Sequence, residues 1–452
     1  MKRVALVALL ALLVSTLPPW VWGQSALSGD SQSIPAMGGR GVENTDNLRH
    51  ESFEIVWRTV KEKHFDPTFG GVDWDKVHDQ YAPRIASVTS DSQFYDLLQQ
   101  MLGELHQSHF GIIRPEEVTQ DDSPEPAIGG IGVDLRIVDG QATVTRVESG
   151  SSADRAGIRL GFIVKKIDDA DILPIIEKLA ARRESAALRK IRTIRAILAL
   201  INGPPGTSVR ISWLDGQEAA GEATIPREKL KGEMSQRFGN FPPQYVEFES
   251  KRLPGNIGYI RFNIFVILVM DKIRAAIRSM SDESGLIVDL RGNPGGVGGM
   301  SSGIAGLLED KQTSLGTMRM RVGHQNFLVF PQKDPYLGPV VILMDQMSAS
   351  TSEVFASGMQ EIGRAVVVGE QSAGAALPSI IQKLPTGALF QYAIADFKTP
   401  KGTLIEGRGV IPDVEIKLSR AALLAGSDAQ LDAAIASVRK HVGLARRPRT
   451  AA

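Results

Sequence analysis

The sequence predicts a multi-domain α/β protein in three parts: a helical N-terminal domain, a small β domain and an α/β core. Two observations carry this. At 452 residues the chain exceeds the size at which a single hydrophobic core stops growing. Its apolar periodicity also changes twice, from helical spacing to short alternating strands and then to continuous apolar runs.

Residues 1–23 read as a secretory signal peptide. Lys2 and Arg3 precede an apolar run from Val4 to Val14, Pro18-Pro19 breaks it, and small residues near Gly23 and Ser25 suit cleavage near Gly23. A membrane anchor is the alternative, but the run falls short of the roughly 20 residues a span needs. Residues 24–45, rich in Ser, Gly and Pro, read as a flexible linker. The helical domain is expected over 46–120. In "FEIVWRTVKEKHF", Phe53, Val56, Trp57, Val60 and His64 fall on one helical face. A further helix, "SDSQFYDLLQQMLGEL", opens with Ser90 or Asp91 as cap, and "HQSHFGIIRPEE" closes the block.

Residues 125–228 form the β domain. "GGIGVDLRIVDGQATVTRVESG" alternates apolar and polar residues between Asp-Gly and Ser-Gly turns. A basic stretch from Leu173 to Leu200 reads as an exposed inserted helix, its Arg and Lys stems covering apolar surface. A connector over 229–256 contains "GNFPPQY". In the core, 257–420, "GLIVDLRGN", "GPVVILMD" and "RAVVVGE" are apolar runs ending in polar turns, as strands buried on both faces require. Residues 421–452 supply an amphipathic helix and a basic tail, "ARRPRTAA".

Lys+Arg and Asp+Glu both number 51, so nothing in the charge balance attracts a nucleic acid. Cysteine is absent, which excludes disulfides, thiolate catalysis, iron–sulfur clusters and Cys-based zinc sites. A covalent mechanism without a cofactor then calls for an oxygen nucleophile.

The stretch "MDQMSASTSEVFASGMQ" (344–360) follows an apolar strand and opens a helix. A serine there meets unpaired N–H groups and the positive end of the helix dipole, which favour a developing oxyanion. The same residues also fit a capping box, with Ser350 as cap and Glu353 reaching back. "GLIVDLRGNPGGVGGM" offers a second strand end. It lacks the Lys-Ser/Thr of a phosphate loop, whereas Gly295 and Gly296 let backbone N–H groups approach a reacting carbonyl.

"VDLRGNPGG", "SASTSEVFASGMQEIGRAVVVGE" and "IEGRGVIPDVEI" together resemble the C-terminal processing (tail-specific) serine peptidases and their relative, the tricorn protease core, over residues 46–440. The resemblance implies an α/β core of the ClpP/crotonase type and a PDZ-like domain over 125–228. That domain departs from the usual pattern at Phe162. The family's nucleophile falls on Ser350. Its catalytic lysine falls on Ala375, within "QSAGAALPS", so a Ser–Lys dyad is not expected. The tricorn-like branch uses a Ser-His pair and a glutamate, which fall on Ser108-His109 and Glu406. The resemblance thus implies Ser350 as nucleophile, His109 as general base, and Ser108 with Glu406 as a polar relay. Gly295 or Gly296, with the Thr351 N–H, would form the oxyanion hole.

The expectation is an exported serine endopeptidase, periplasmic or secreted, without cofactor or metal. It would cleave proteins or peptides captured by strand addition along Gly130, Ile131, Gly132 and Val133. No nucleic-acid partner and no span after signal cleavage are expected. The alternatives are a non-catalytic binding protein on the same scaffold, or a Ser–Lys peptidase using Lys383. A metal shared by His106 and His109 lacks an evident third ligand.

Overall fold

Helices open the described chain where apolar spacing and caps favour them. The computed structural model describes residues 40–115, 129–181 and 186–445. The chain divides into two compact units, 1–44 and 45–452, and the second contains the sheets and nearly all of the helices. The signal peptide, most of the expected linker and the basic tail from 446 lie outside the described residues.

α1 (Arg40–Lys63) begins inside the expected linker and buries Phe53, Val56 and Val60. Asp73 caps α2 (Trp74–Ala86) by accepting the Lys76 N–H, and Ser90 caps α3 (Asp91–Gly103) by accepting that of Gln93. β1 (Gly111–Ile113) follows and pairs with the distant strand Leu389–Ala393, Gly111 opposite Gln391. The helical block expected over 46–120 thus does not close on itself. Phe94, Leu98 and Met101 share one core with Leu377, Phe390 and Tyr392.

β2 (Gly129–Gly130) leads into β3 (Val133–Val138), β4 (Gln141–Val147), α4 (Ser152–Arg155), β5 (Ile163–Ile167) and β6 (Ala170–Asp171). α5 (Ile172–Ala180) and α6 (Ala186–Ile201) come next, then β7 (Ser208–Leu214), β8 (Ala220–Pro226) and β9 (Glu228–Lys229). The antiparallel sheet runs β3-β4-β5-β7-β8, with β6 beside β5 and β9 returning to β2. Asp139 (φ 49°) and Gly140 (φ 76°) turn β3 into β4, the two positive φ values a two-residue hairpin loop demands.

The expectation that 173–200 is a surface helix is also corrected. Ile197 and Ile201 of α6 enter the core of this sheet, while Ile191 and Ile194 pack on Met347, Ala349, Ala373 and Ala375. The isoleucine spacing, not the run of Arg and Lys, decides where α6 sits.

β10 (Glu233–Met234) and β11 (Tyr245–Val246) pair with each other, and β12 (Phe248–Leu253) joins the main sheet, so 229–256 is more than a connector. The chain then alternates through β13 (Ile257–Phe262), α7 (Ile267–Ser279), β14 (Gly285–Asp289), α8 (Gly299–Ala305) and the hairpin β15 (Thr313–Met320)–β16 (His324–Val329). β17 (Val340–Met344), α9 (Thr351–Glu361), β18 (Ala365–Gly369), β19 (Ser379–Lys383), β20 (Leu389–Ala393) and β21 (Ala395–Lys398) follow. β22 (Val414–Glu415), α10 (Arg420–Leu424) and α11 (Ala429–Ala445) end the described chain.

The main sheet runs β12-β13-β14-β17-β18-β22, parallel except for β12. Leu286 and Val288 of β14 face a core shared with α7, α8 and α9, whereas Ile287 faces Ala434 and Val438 of α11. Helices thus cover both faces, which is why these strands read as unbroken apolar runs. The hairpin β19–β20 leaves this layer to join β1, so the expected core 257–420 is shared with the N-terminal helices. Among the described residues no helix is long and apolar enough to cross a membrane.

Candidate active site

β14 and β17 are parallel neighbours, with Asp289 opposite Leu343, so the polar segments beyond their carboxyl ends emerge side by side. Ser350 stands where the second segment enters α9, at φ 55° and ψ −117°. That conformation is costly for a non-glycine residue and persists only where its surroundings enforce it. Here the Ser350 N–H is held by Glu353 Oε2 at 3.0 Å and by the Ala375 carbonyl at 2.9 Å. The expected capping box is present, with the Glu353 carboxylate reaching back to the Ser350 N–H, while the Glu353 N–H also donates to the Ser350 carbonyl at 2.8 Å.

Ser350 Oγ lies 3.1 Å from His109 Nε2. His109 reaches it from the end of the helical block, at φ 60°. Its Nδ1 is 2.7 Å from Ser108 Oγ, and Ser108 donates its hydroxyl to Glu406 Oε2 at 2.8 Å and its N–H to Oε1 at 2.8 Å. A hydroxyl that donates to the carboxylate must accept from the ring. This places the proton on Nδ1 and leaves Nε2 free to accept from Ser350. Glu406 also accepts the Ala376 N–H at 3.0 Å.

Burial, with Arg195 adding to it, holds the His109 ring down to about 4, so the ring is neutral at ordinary pH. His109 as a residue is half-buried. Burial pushes the Glu406 carboxyl up, against the donors of Ser108 and Ala376. Arg195 had no signal in the sequence beyond being a cation set among the isoleucines of α6.

Glu353 organises the segment where a lysine is missing. It is fully buried and accepts Ser372 Oγ, the Gly374 N–H at 2.7 Å and the Ala375 N–H at 2.9 Å. Burial pushes it up to about 7 despite these donors. Ala375 is itself buried, and Lys383 stands exposed at the end of β19, outside the hydrogen bonds of Ser350.

Of the three expected oxyanion donors, the Gly295 N–H is committed to Asn293 Oδ1 at 2.9 Å, which corrects that assignment. Among the described residues the N–H groups of Gly296 and Thr351 have no acceptor. Thr351 Oγ1 ties the two together by donating to the Gly296 carbonyl at 2.9 Å. Gly295 (φ 98°) is needed for space as well: a Cβ there would lie 2.7 Å from Ser350 Cβ. Asn293, not singled out in the sequence, bolts the two strand ends together. Its carbonyl accepts the Ala349 N–H at 3.0 Å and its side chain donates to the Phe262 carbonyl at 2.9 Å.

The strand-addition edge expected over 130–133 is only partly open. Gly130 already pairs with Glu228, the Ile131 side chain is in the core, and a Cβ on Gly132 would strike Ser151. Val133 does begin an edge strand, since β3 has β4 as its only sheet partner among the described residues. His106 is exposed and apart from these contacts, and the described residues hold no group of three His, Cys, Asp or Glu side chains placed to share a metal.

Residues 256–416 match the model of Peptidase family S41, and residues 46–103 match that of the Tricorn protease C1 domain. The carboxyl-terminal-processing protease of Synechocystis sp. is 25% identical over 389 residues, covering 84% of each chain. Among solved structures, the photosystem II D1 C-terminal processing protease superposes with a TM-score of 0.56 at 21% identity, covering 84% of this chain and 98% of that one. Mature CPAF superposes with a TM-score of 0.62 at 14% identity, covering 89% and 99%. At those identities the two structures speak to the fold alone.

Proposed function

We propose that this serine-type peptidase, with a core of the S41 kind, cleaves proteins or peptides through Ser350, His109, Ser108 and Glu406 and so belongs to the tricorn-like branch. The observation that carries the reading is the unbroken hydrogen-bond chain Glu406–Ser108–His109–Ser350, assembled from segments far apart in sequence. As Ser350 Oγ attacks the scissile carbonyl carbon, its proton passes to His109 Nε2. The imidazolium so formed donates through Nδ1 to Ser108, whose hydroxyl leans on the Glu406 carboxylate. The carbonyl oxygen, now an anion, takes the N–H groups of Gly296 and Thr351. His109 returns the proton to the departing amine, leaving an acyl-Ser350. Water, deprotonated by the same ring, then releases the acid product.

Residues 125–228 are read as the PDZ-like domain that presents an extended chain along the free edge of β3. The core is read as the ClpP/crotonase type, and residues 1–23 as the signal that exports the protein to a periplasmic or secreted location. The test is covalent labelling with a fluorophosphonate alongside hydrolysis of an unfolded protein. Ser350→Ala should lose both, and His109→Ala should lose hydrolysis by at least about 1,000-fold. Full activity of Ser350→Ala would overturn the assignment.

A further inference from the structure

The peptidase reading leaves open what the site selects, and α6 bears on it. Ile191 and Ile194 press against Met347, Ala349, Ala373 and Ala375, the segments on either side of Ser350. Arg195 is the next residue after Ile194 and one turn from Ile191, so it leaves the helix at the border of the face that backs the site. Its charge reaches the His109 ring.

Arg195 is hemmed in enough for burial to lower its pKa, yet the side chain remains exposed to solvent. Its guanidinium thus stands open to solvent on the helix that packs against the segments beside Ser350. Among the described residues several arginines close to the core have an acidic partner, Arg136 with Asp345, Arg261 with Asp134, Arg291 with Asp289 and Asp428, and Arg364 is tied to carbonyl oxygens instead. Arg195 has no ion pair and no hydrogen bond among the described residues. The neighbouring Arg192 adds a second positive charge on the same helix. A five-donor fork kept unpaired beside a catalytic base is matched by a carboxylate, the planar anion it can grip with two hydrogen bonds.

We infer that Arg195 selects peptide substrates by binding a substrate carboxylate close to the scissile bond. The inference rests on the Ser350–His109 reading of the site. The carboxylate has two sources, an Asp or Glu side chain within the chain or the terminal carboxylate of a peptide. The fork would hold the acidic group beside the Ser350 segments and set the chain's register against Ser350. A charge-assisted pair of this kind is a selectivity of about tenfold or more over the matching amide.

The full chain and its Arg195→Met and Arg195→Lys variants are set to digest one denatured protein mixture, with cleavage points mapped by mass spectrometry. The parent should cut with Asp or Glu enriched at a fixed distance from the bond. If the source is the terminus, it should cut at a fixed distance from free carboxyl ends, and amidating those ends should remove the preference. Arg195→Met should reduce the enrichment about tenfold, and Arg195→Lys should keep part of it as a point charge without the fork. An identical cleavage profile for parent and Arg195→Met would overturn the role of Arg195 while leaving the catalytic reading intact. A parent that cuts nothing and takes no fluorophosphonate would sink both.

Discussion

Ser348, Ser350 and Ser352 are chemically identical and stand two residues apart, yet each hydroxyl has a different employment. Ser348 Oγ donates to the Leu290 carbonyl at 2.8 Å, Ser352 Oγ to the Asn293 carbonyl at 3.0 Å, and Ser350 Oγ faces His109. The two outer serines sew together the loops of neighbouring strands, and the middle one is spared by its reversed φ. The sequence singles out Ser350 because a run of motifs in a fixed order falls on it, whereas the partners of Ser348 and Ser352 emerge only from the fold. Asn293 and Arg195 were not legible, because their parts depend on which segments lie opposite them in space. The state of His109 yields a prediction on this scale. The ring meets Ser350 and Ser108, the latter backed by Glu406, and feels the charge of Arg195 on α6. With the ring held down to about 4, kcat/KM for an uncharged peptide should rise through an acid limb near pH 4 and be level across neutrality. Arg195→Met, which removes the second cause of the depression, should move that limb upward. A limb at the ordinary histidine value of about 6.5 in the parent would contradict this. The stability sign agrees: the unfolded ring binds its proton first, so stability contributed by the neutral ring falls as pH drops from about 6.5 toward 4.

On the scale of elements, α9 is positioned by a carboxylate rather than by a cap hydroxyl. Glu353 receives donors from Ser350, Ser372, Gly374 and Ala375, and thereby fixes both the strained residue and the segment that replaces the missing lysine. A single proton on Glu353 can be absorbed, because the Ser372 hydroxyl can turn from donor to acceptor. An amide cannot be absorbed in this way, since its NH2 group would point at a backbone N–H on either side. Glu353→Gln should therefore lower fluorophosphonate labelling of Ser350 by about 100-fold through misplacement of the nucleophile, and unfold about 1–3 kcal/mol more easily. Labelling at the parent rate would refute that role for Glu353. α6 is where element-level reading of the sequence failed. Its Arg and Lys residues dominate the composition, but Ile191, Ile194, Ile197 and Ile201 form the face that decides its packing. A helix read by charge alone is put on the wrong surface.

On the scale of the whole molecule, the changes of periodicity along the chain were legible but the contacts that join the segments were not. Periodicity separates helical, alternating and continuous patterns along the chain, whereas β19–β20 crosses back to β1 and the N-terminal helices through contacts no local pattern announces. The seam between the sheet of residues 129–229 and the main sheet is of another kind. Arg136, on the edge strand β3, donates from Nε to Asp345 Oδ2 at 2.7 Å, and both side chains are buried. Asp345 Oδ1 meanwhile accepts the N–H groups of Gly292 and Met347, each at 2.9 Å, so one carboxylate joins β3 to the loops after β14 and β17. A buried carboxylate stripped of its cation is costly, and Arg136→Met should destabilise the chain by about 3–5 kcal/mol in chemical unfolding. Asp169→Asn, which breaks an exposed pair with Arg210, should cost no more than about 1 kcal/mol. Because Gly292 and Met347 lie in the loops that carry Gly296 and Ser350, amide exchange around residues 345–350 should also accelerate in Arg136→Met and not in Asp169→Asn. Equal, small effects of the two changes would mean that the seam is held by apolar packing, Ile191 and Ile194 against Met347 and Ala349, rather than by this pair.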